Sequence, residues 1–398
     1  MKRMFCALLV LSLLLCALPL SASARDALSF RDDGTFRILH LSDTQDDAVP
    51  SPDMLNLLKL SIETADPDLI VFTGDLVEDS RLGDVASDAQ PLREGVNVKD
   101  LGGALNYEKT RANVEKAVAD VFGVFESYEI PYVVALGNND RKVGLSTADW
   151  LEIFAAYPHC VIRDDSPDEA GGIDYYVTIR GTDGADKFNV WLGDTTRHGI
   201  SDAQIDWYQQ TSRAITARNG APVPAFWFQH IQAADIGNLF EPCKMTDEGA
   251  RKGANGFVRV NREIAGGNSF YGWDPCEPSY EFRAWKACGD VIGAFFGHQH
   301  VEGVCGTFDG IEMGFTYGCE MAKTGPYGFR VFTLHEDDLT HYDNTLYRYT
   351  GKAALGTAKV SPETNEPYST PANGLESFFL KLAAFFRAAV SAIIYVFS

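Results

Sequence analysis

The chain has 398 residues, enough for one large domain or two ordinary ones, and its 45% hydrophobic and 12% aromatic content suffices for a sizeable core. Its 34 basic and 55 acidic residues leave a formal net charge of −21 and a pI near 4.7. Such a surface repels phosphate backbones and shows no evident basic patch, which argues against a nucleic-acid partner; the acidity reads as solubility.

The first residues are "MKRMFCALLVLSLLLCALPLSASA". Lys2 and Arg3 precede an apolar run, and Ala22-Ser23-Ala24 is a small-x-small cleavage signal. Residues 1–24 are therefore expected to be a secretory signal peptide, and the protein to be exported. Leu15 is not small, so Cys16 does not complete a lipobox.

Strand-like "FRILHLS" (36–42) opens the domain and runs into the acidic "DTQDD". Leu55, Leu58 and Ile62 then recur at helical spacing. "DLIVFTG" (68–74) has the short apolar character of a buried strand, and the Gly- and Asp-rich residues 79–106 read as a long loop. Val114, Val118, Val121, Phe122 and Phe125 line one face of a helix over 107–129, and "PYVVALG" (131–137) is again a buried strand. Beyond it come "DYYVTIRG", "FNVWLGD", a helix over 201–215 with Ser201 as N-cap, then "PAFWFQH", "DVIGAFFGHQH", "GIEMGFTYG" and "GFRVFTLH". Alternation first and strands later predict an α/β sandwich, with sheets face to face and helices outside.

The domain is expected over 25–355, followed by a Pro-rich linker over 356–374 and a helix over 375–398. In that last segment Glu376, Ser377, Lys381, Arg387 and Ser391 fall within an arc of roughly 140°. Lys381 and Arg387 interrupt the run of about 20 apolar residues a membrane span needs, so the helix is expected to lie along a membrane surface. With the leader removed, Cys160, Cys243, Cys276, Cys288, Cys305 and Cys319 remain, an even number that permits disulfides in an exported protein. Short loops favour Cys276–Cys288 and Cys305–Cys319.

Acidic, amide and imidazole groups recur where apolar strands end. Asp43 follows the first strand, Asp75 the second, Asn138, Asn139 and Asp140 the third, His230 the fourth, and His298 with His300 the fifth. In open α/β folds the loops past strand carboxyl ends form the ligand crevice. A lone Asp after a strand is usually a turn residue, and a lone His is usually a satisfied core group. In extended chain, however, i and i+2 point to one side, so His298 and His300 can converge on one centre. The ordered set is more specific than any member.

The blocks "SDTQ…GDLV…GNND…FQHI…GHQH" resemble the calcineurin-like metallophosphoesterase superfamily. "LGDTTRHGISDAQIDWYQQTS" is similar to the subgroup of purple-acid-phosphatase-like proteins of plants and fungi. The resemblance implies a four-layer αββα sandwich with a dinuclear site. It implies that Asp75 bridges two divalent ions, that Asp43, position 45 and His300 hold the first, and that Asn138, His230 and His298 hold the second. Carboxylate, amide and imidazole donors suit Zn, Mn, Fe or Ni. Two such ions can clamp both oxygens of an in-line phosphoryl displacement, so the resemblance implies a phosphoester hydrolase acting on a phosphorylated small molecule or polymer, monoesters favoured.

Two positions depart from that pattern. Gln45 stands where His is usual; its carbonyl can coordinate, or the residue can serve only to orient a ligand. Asn139 also replaces a His; it can hydrogen-bond a phosphoryl oxygen but cannot act as an acid near neutral pH. Arg141 and His198 are the candidates to compensate. Beside the hydrolase reading stands an impaired relative that binds phosphate, a polyanion or a cell-surface partner.

Overall fold

The computed structural model describes residues 28–46, 49–77, 107–166, 172–195, 199–253, 256–267, 280–321 and 325–363. The expected signal peptide, the 79–106 stretch, His198, Cys276 and the segment 375–398 lie outside these residues. In chain order the first half gives β1 (Thr35–Leu41), α1 (Pro52–Ala65), β2 (Leu69–Thr73), α2 (Tyr107–Glu126), β3 (Tyr132–Ala135), α3 (Thr147–Ala155), β4 (Tyr175–Arg180) and β5 (Asp186–Gly193). Next come α4 (Asp202–Asn219), β6 (Ala225–Gln229), β7 (Phe240–Cys243), β8 (Arg251–Gly253), β9 (Gly256–Val260) and β10 (Ala265–Gly266). The remainder is α5 (Glu281–Cys288), β11 (Val291–Phe296), β12 (Cys305–Phe308), β13 (Ile311–Phe315), β14 (Tyr327–His335), β15 (Tyr342–Thr350) and β16 (Lys359–Pro362).

Two mixed sheets carry the fold. One has six strands in the order β16-β15-β14-β1-β2-β3, the other seven in the order β10-β12-β13-β11-β6-β5-β4, and β7 to β9 form a small separate sheet. In the first, β1, β2 and β3 run parallel and β14 is antiparallel to β1. In the second, β5, β6, β11 and β13 run parallel, with β4 and β12 antiparallel at the flanks. Every residue of β2, "LIVFT", is buried, as expected of a parallel strand covered on both faces.

The sheets pack face to face. Phe228 of β6 and Phe295 of β11 meet Phe332 of β14, with ring centroids 5.9 and 4.3 Å apart. Outside the first sheet, α1 buries Met54, Leu57, Leu58 and Ile62, and Phe125 of α2 lies 6.4 Å from Phe72 of β2. Outside the second, Tyr208 of α4 and Trp285 of α5 close on Trp227 of β6 at 5.2 and 5.5 Å. The expected sandwich of two mixed sheets flanked by helices is therefore the observed one. Ser201 caps α4 as expected: its hydroxyl accepts from Gln204 N, while the Gln204 side chain accepts from Ser201 N.

Two expectations change. β16 pairs antiparallel with β15, so the first sheet continues into the stretch read as linker. The disulfides are absent among the described residues: Cys160, Cys243, Cys288, Cys305 and Cys319 are thiols. Loop length says nothing about where sulfurs point, and each sulfur of the favoured pair faces elsewhere. Cys305 Sγ donates to Glu312 at 3.4 Å, and Cys319 Sγ to the Gly328 carbonyl at 3.7 Å. Burial pushes the Cys319 thiol up to about 12, which suits a small inert core residue.

Candidate metal centre

Five parallel strands from both sheets end at one place. β1 delivers Asp43 and Gln45, β2 Asp75, β3 Asn138 and Asn139, β6 His230, and β11 His298 and His300. Hydrogen bonds stitch these ends together. Asp43 N donates to the Gly74 carbonyl and Gln45 N to that of Asp75, both at 2.9 Å. Across the sheets, His298 N donates to Asp43 Oδ2 at 3.0 Å.

The backbone at this place is strained. Asp43, Gln45, Asp75 and His298 have φ of 54°, 38°, 52° and 66°, four of the seven described non-glycine residues in that region. Such conformations cost on the order of 1–3 kcal/mol each and persist where surroundings over-determine them. Space is equally tight: a Cβ at Gly137 would stand 2.1 Å from Asp75 Oδ1. Only glycine lets the β3 loop pass this close to the carboxylate.

Asp43, Asp75 and His230 are buried, and each offers one ligand atom within 4.8 Å of the others. His230 Nδ1 is 2.7 Å from the Thr73 carbonyl, which can only accept, so Nδ1 donates and Nε2 faces Asp75 Oδ1 at 3.3 Å. His300 is held likewise: Nδ1 faces Glu320 Oε2 at 2.7 Å and Nε2 faces Asp43 Oδ1 at 3.3 Å. His298 packs edge-on to His230, with ring centroids 5.1 Å apart. The Asn138 amide lies between these rings; with its nitrogen toward them it donates to His298 Nδ1 at 2.9 Å and His230 Nε2 at 3.2 Å.

Charge is concentrated here. Burial opposes a charged His230, but Asp75 and Asp43 outweigh it and raise the ring to about 9. Burial raises the Asp43 carboxyl. Burial also works against an ionised Asp75, yet His230 holds that carboxyl below the usual range. Burial first, then His230, drives His298 down to about 3. Asp43 Oδ1 is buried and receives no hydrogen bond. An orphaned carboxylate oxygen beside a second carboxylate and a directed imidazole nitrogen fits a divalent cation. Asp43, Asp75 and His230 would hold it, with His298 and His300 alongside. The ion would supply Lewis-acid polarisation of a phosphoryl oxygen.

The family profile described as calcineurin-like phosphoesterase matches residues 36–302. The chain belongs to this family. It is similar to the Arabidopsis thaliana protein named probable inactive purple acid phosphatase 28, at 23% identity over 349 residues, 77% of this chain and 73% of that one. It is also similar to probable inactive purple acid phosphatase 29 of the same plant, at 25% identity over 363 residues, 80% and 78% of the two chains. Among solved structures, a dimetal phosphatase from Danio rerio aligns over 83% of this chain and 96% of that one, at 11% identity and a TM-score of 0.46.

Within this calcineurin-like chain the two unusual positions face specific partners. Gln45 Nε2 donates to Asp75 Oδ2 at 2.7 Å, so the glutamine turns its amide nitrogen to the carboxylate. Asn139 N donates to Asp75 Oδ1 at 2.8 Å, and its side-chain oxygen accepts from Lys142 Nζ at 3.0 Å. Arg141 pairs with the buried Asp194, which assigns it to the scaffold rather than to compensation for Asn139. His198 lies outside the described residues. The blocks did not reveal Glu320 or Lys142. Glu320 lies 20 residues beyond the "GHQH" block. Lys142 stands three residues after Asn139, a spacing that brings side chains together on a helical turn.

Proposed function

We propose that this calcineurin-like protein is an impaired relative of the family's hydrolases. It holds a divalent cation at Asp43, Asp75 and His230, and acts by binding phosphate or a phosphate-bearing polyanion there. The observation that carries the reading is the hydrogen bond from Gln45 to Asp75 Oδ2. One oxygen of the carboxylate expected to bridge two ions accepts an amide N–H instead, which disfavours a second cation on that side. Position 45 thereby offers a donor where an ion would need a lone pair. Asn139 adds to this, because no acid stands at that position to protonate a leaving group. Two Arabidopsis thaliana relatives bear the words "probable inactive" in their names, which supports the same reading. The apolar N-terminal run and its small-x-small site support export as part of the same proposal.

A second reading has its own support, the retention of Asp43, Asp75, His230, His298 and His300 at four strand ends. Under it, a second ion binds weakly and the protein hydrolyses esters with easy leaving groups. Hydrolysis of aryl phosphate mono- and diesters with Mn, Zn, Mg or Fe separates the two, beside Asp75→Asn and Asn139→His. On poor leaving groups the wild type is expected to run roughly 10²–10⁴-fold below Asn139→His, the usual contribution of general acid help. Binding of inorganic phosphate is expected to require metal and to vanish in Asp75→Asn. Wild-type turnover on poor leaving groups equal to that of Asn139→His would remove the impaired reading.

A further inference from the structure

Asn139 is a short neutral amide, and a cation reaches it from three residues further on. Asp140–Val143 is one 3-10 turn with Asn139 at its N-cap, and Lys142 N donates to the Asn139 carbonyl at 2.9 Å. In a 3-10 turn residues i and i+3 eclipse, so the Lys142 side chain stands over that of Asn139. Lys142 Nζ lies 3.0 Å from Asn139 Oδ1 and 3.2 Å from the Asn138 side-chain oxygen when that amide turns its nitrogen to the imidazoles.

Arg141 and Lys142 are adjacent but differ in use. The Arg141 guanidinium is neutralised by Asp194. Among the described residues no carboxylate lies within ion-pair distance of Lys142, whose partners are amide oxygens. The side chain is half-buried, so it is neither sealed in the core nor swinging free. Its charge bears on the centre, since it adds to the forces that keep His298 neutral.

We infer that Lys142 is the oxyanion-binding group of this site, taking an outer oxygen of a phosphoryl or phosphate ligand whose inner oxygens would meet the cation that Asp43, Asp75 and His230 hold. Amide oxygens are neutral acceptors, and a hydrogen bond from an ammonium to a phosphate oxygen is roughly twice as strong as a neutral one. The ammonium has three donors, so it can exchange one amide for the ligand and keep the other. A cation three residues on in the same turn can thus supply the anion contact that the neutral Asn139 amide makes only weakly. The inference rests on the phosphate-binding reading above.

The test uses the full-length, Mn-loaded protein and inorganic phosphate as titrant, followed by calorimetry for the wild type, Lys142→Met and Lys142→Arg. Metal content and melting midpoint are measured on the same samples. Lys142→Met is expected to raise Kd roughly 10- to 100-fold and Lys142→Arg about threefold or less, with metal content and midpoint unchanged. A Lys142→Met protein with wild-type Kd overturns the role of Lys142 alone. Loss of metal or a lowered midpoint in Lys142→Met that Lys142→Arg does not restore assigns the residue to the scaffold and also overturns it. A wild type that binds no phosphate overturns the phosphate-binding reading itself, and the Lys142 role with it.

Discussion

Gln45 and Asp75 are joined side chain to side chain: Gln45 Nε2 donates to Asp75 Oδ2 across 2.7 Å, while Asp75 Oδ1 faces His230 Nε2 at 3.3 Å. Oδ2 is engaged by the Gln45 side-chain amide, while Oδ1 accepts from Asn139 N at 2.8 Å and faces the imidazole. Under the proposed reading, this contact limits the centre to one cation.

Replacing the amide should therefore change stoichiometry. Gln45→His removes the donor from Asp75 Oδ2 and puts an imidazole beside it, restoring a nitrogen donor of the kind a two-metal site uses. Metal content per chain is expected to rise from about one ion to about two, measured by elemental analysis after dialysis. A count that stays at one would show that Gln45 is not what limits the site.

Glu320 should matter through His300 rather than through the cation itself. It faces His300 Nδ1 at 2.7 Å and so leaves Nε2 turned toward Asp43. Losing a partner that orients a ligand typically costs 10- to 100-fold in metal affinity. Glu320→Gln is expected to weaken metal binding by roughly that factor in competition with a chelating dye. Unchanged affinity would mean that His300 stands apart from the centre.

A separate buried network should set part of the pH dependence of stability. Asp174 is buried and accepts from Gln204 Nε2 at 2.7 and 2.9 Å and from Asp194 N at 2.9 Å. Burial, followed by the charge of Asp194, raises its carboxyl from 3.8 to about 7. Between those values the folded chain holds a proton that the unfolded chain has released. Stability from this group is therefore greatest at the acid end of that window and falls as pH rises through it. Denaturation midpoints measured from about pH 4.5 to about pH 7 should lose stability more steeply with rising pH in the wild type than in Asp174→Asn. Equal slopes in the two proteins would contradict the assignment.

Much of this centre was readable because it is local. "LIVFT" is apolar at its first four positions, as a strand buried on both faces favours. The same holds for the residues just past β1, β3, β6 and β11, since strand ends and the groups they carry are adjacent in sequence. Ser201 was readable for the same reason, its capping partner being three residues away.

What escaped depends on direction or on long-range packing. The identity of Gln45 left open which end of the amide would face Asp75, and the answer is a hydrogen bond across 30 residues. Glu320 becomes relevant when the β13–β14 connection returns to His300. Arg141 looked available until Asp194, 53 residues on, took its charge. The cysteines misled in the same way: an even count says that pairing is possible, while Cys305 and Cys319 turn to Glu312 and Gly328.

The most direct test is the number of divalent ions that stay with the purified full-length chain after exhaustive dialysis, beside Asp75→Asn. The expected result is about one ion per wild-type chain and close to none in the variant, since Asp75 belongs to the three-residue group. Two tightly held ions in the wild type would contradict the account, because the Asp75 oxygen engaged by Gln45 would then be serving a second metal.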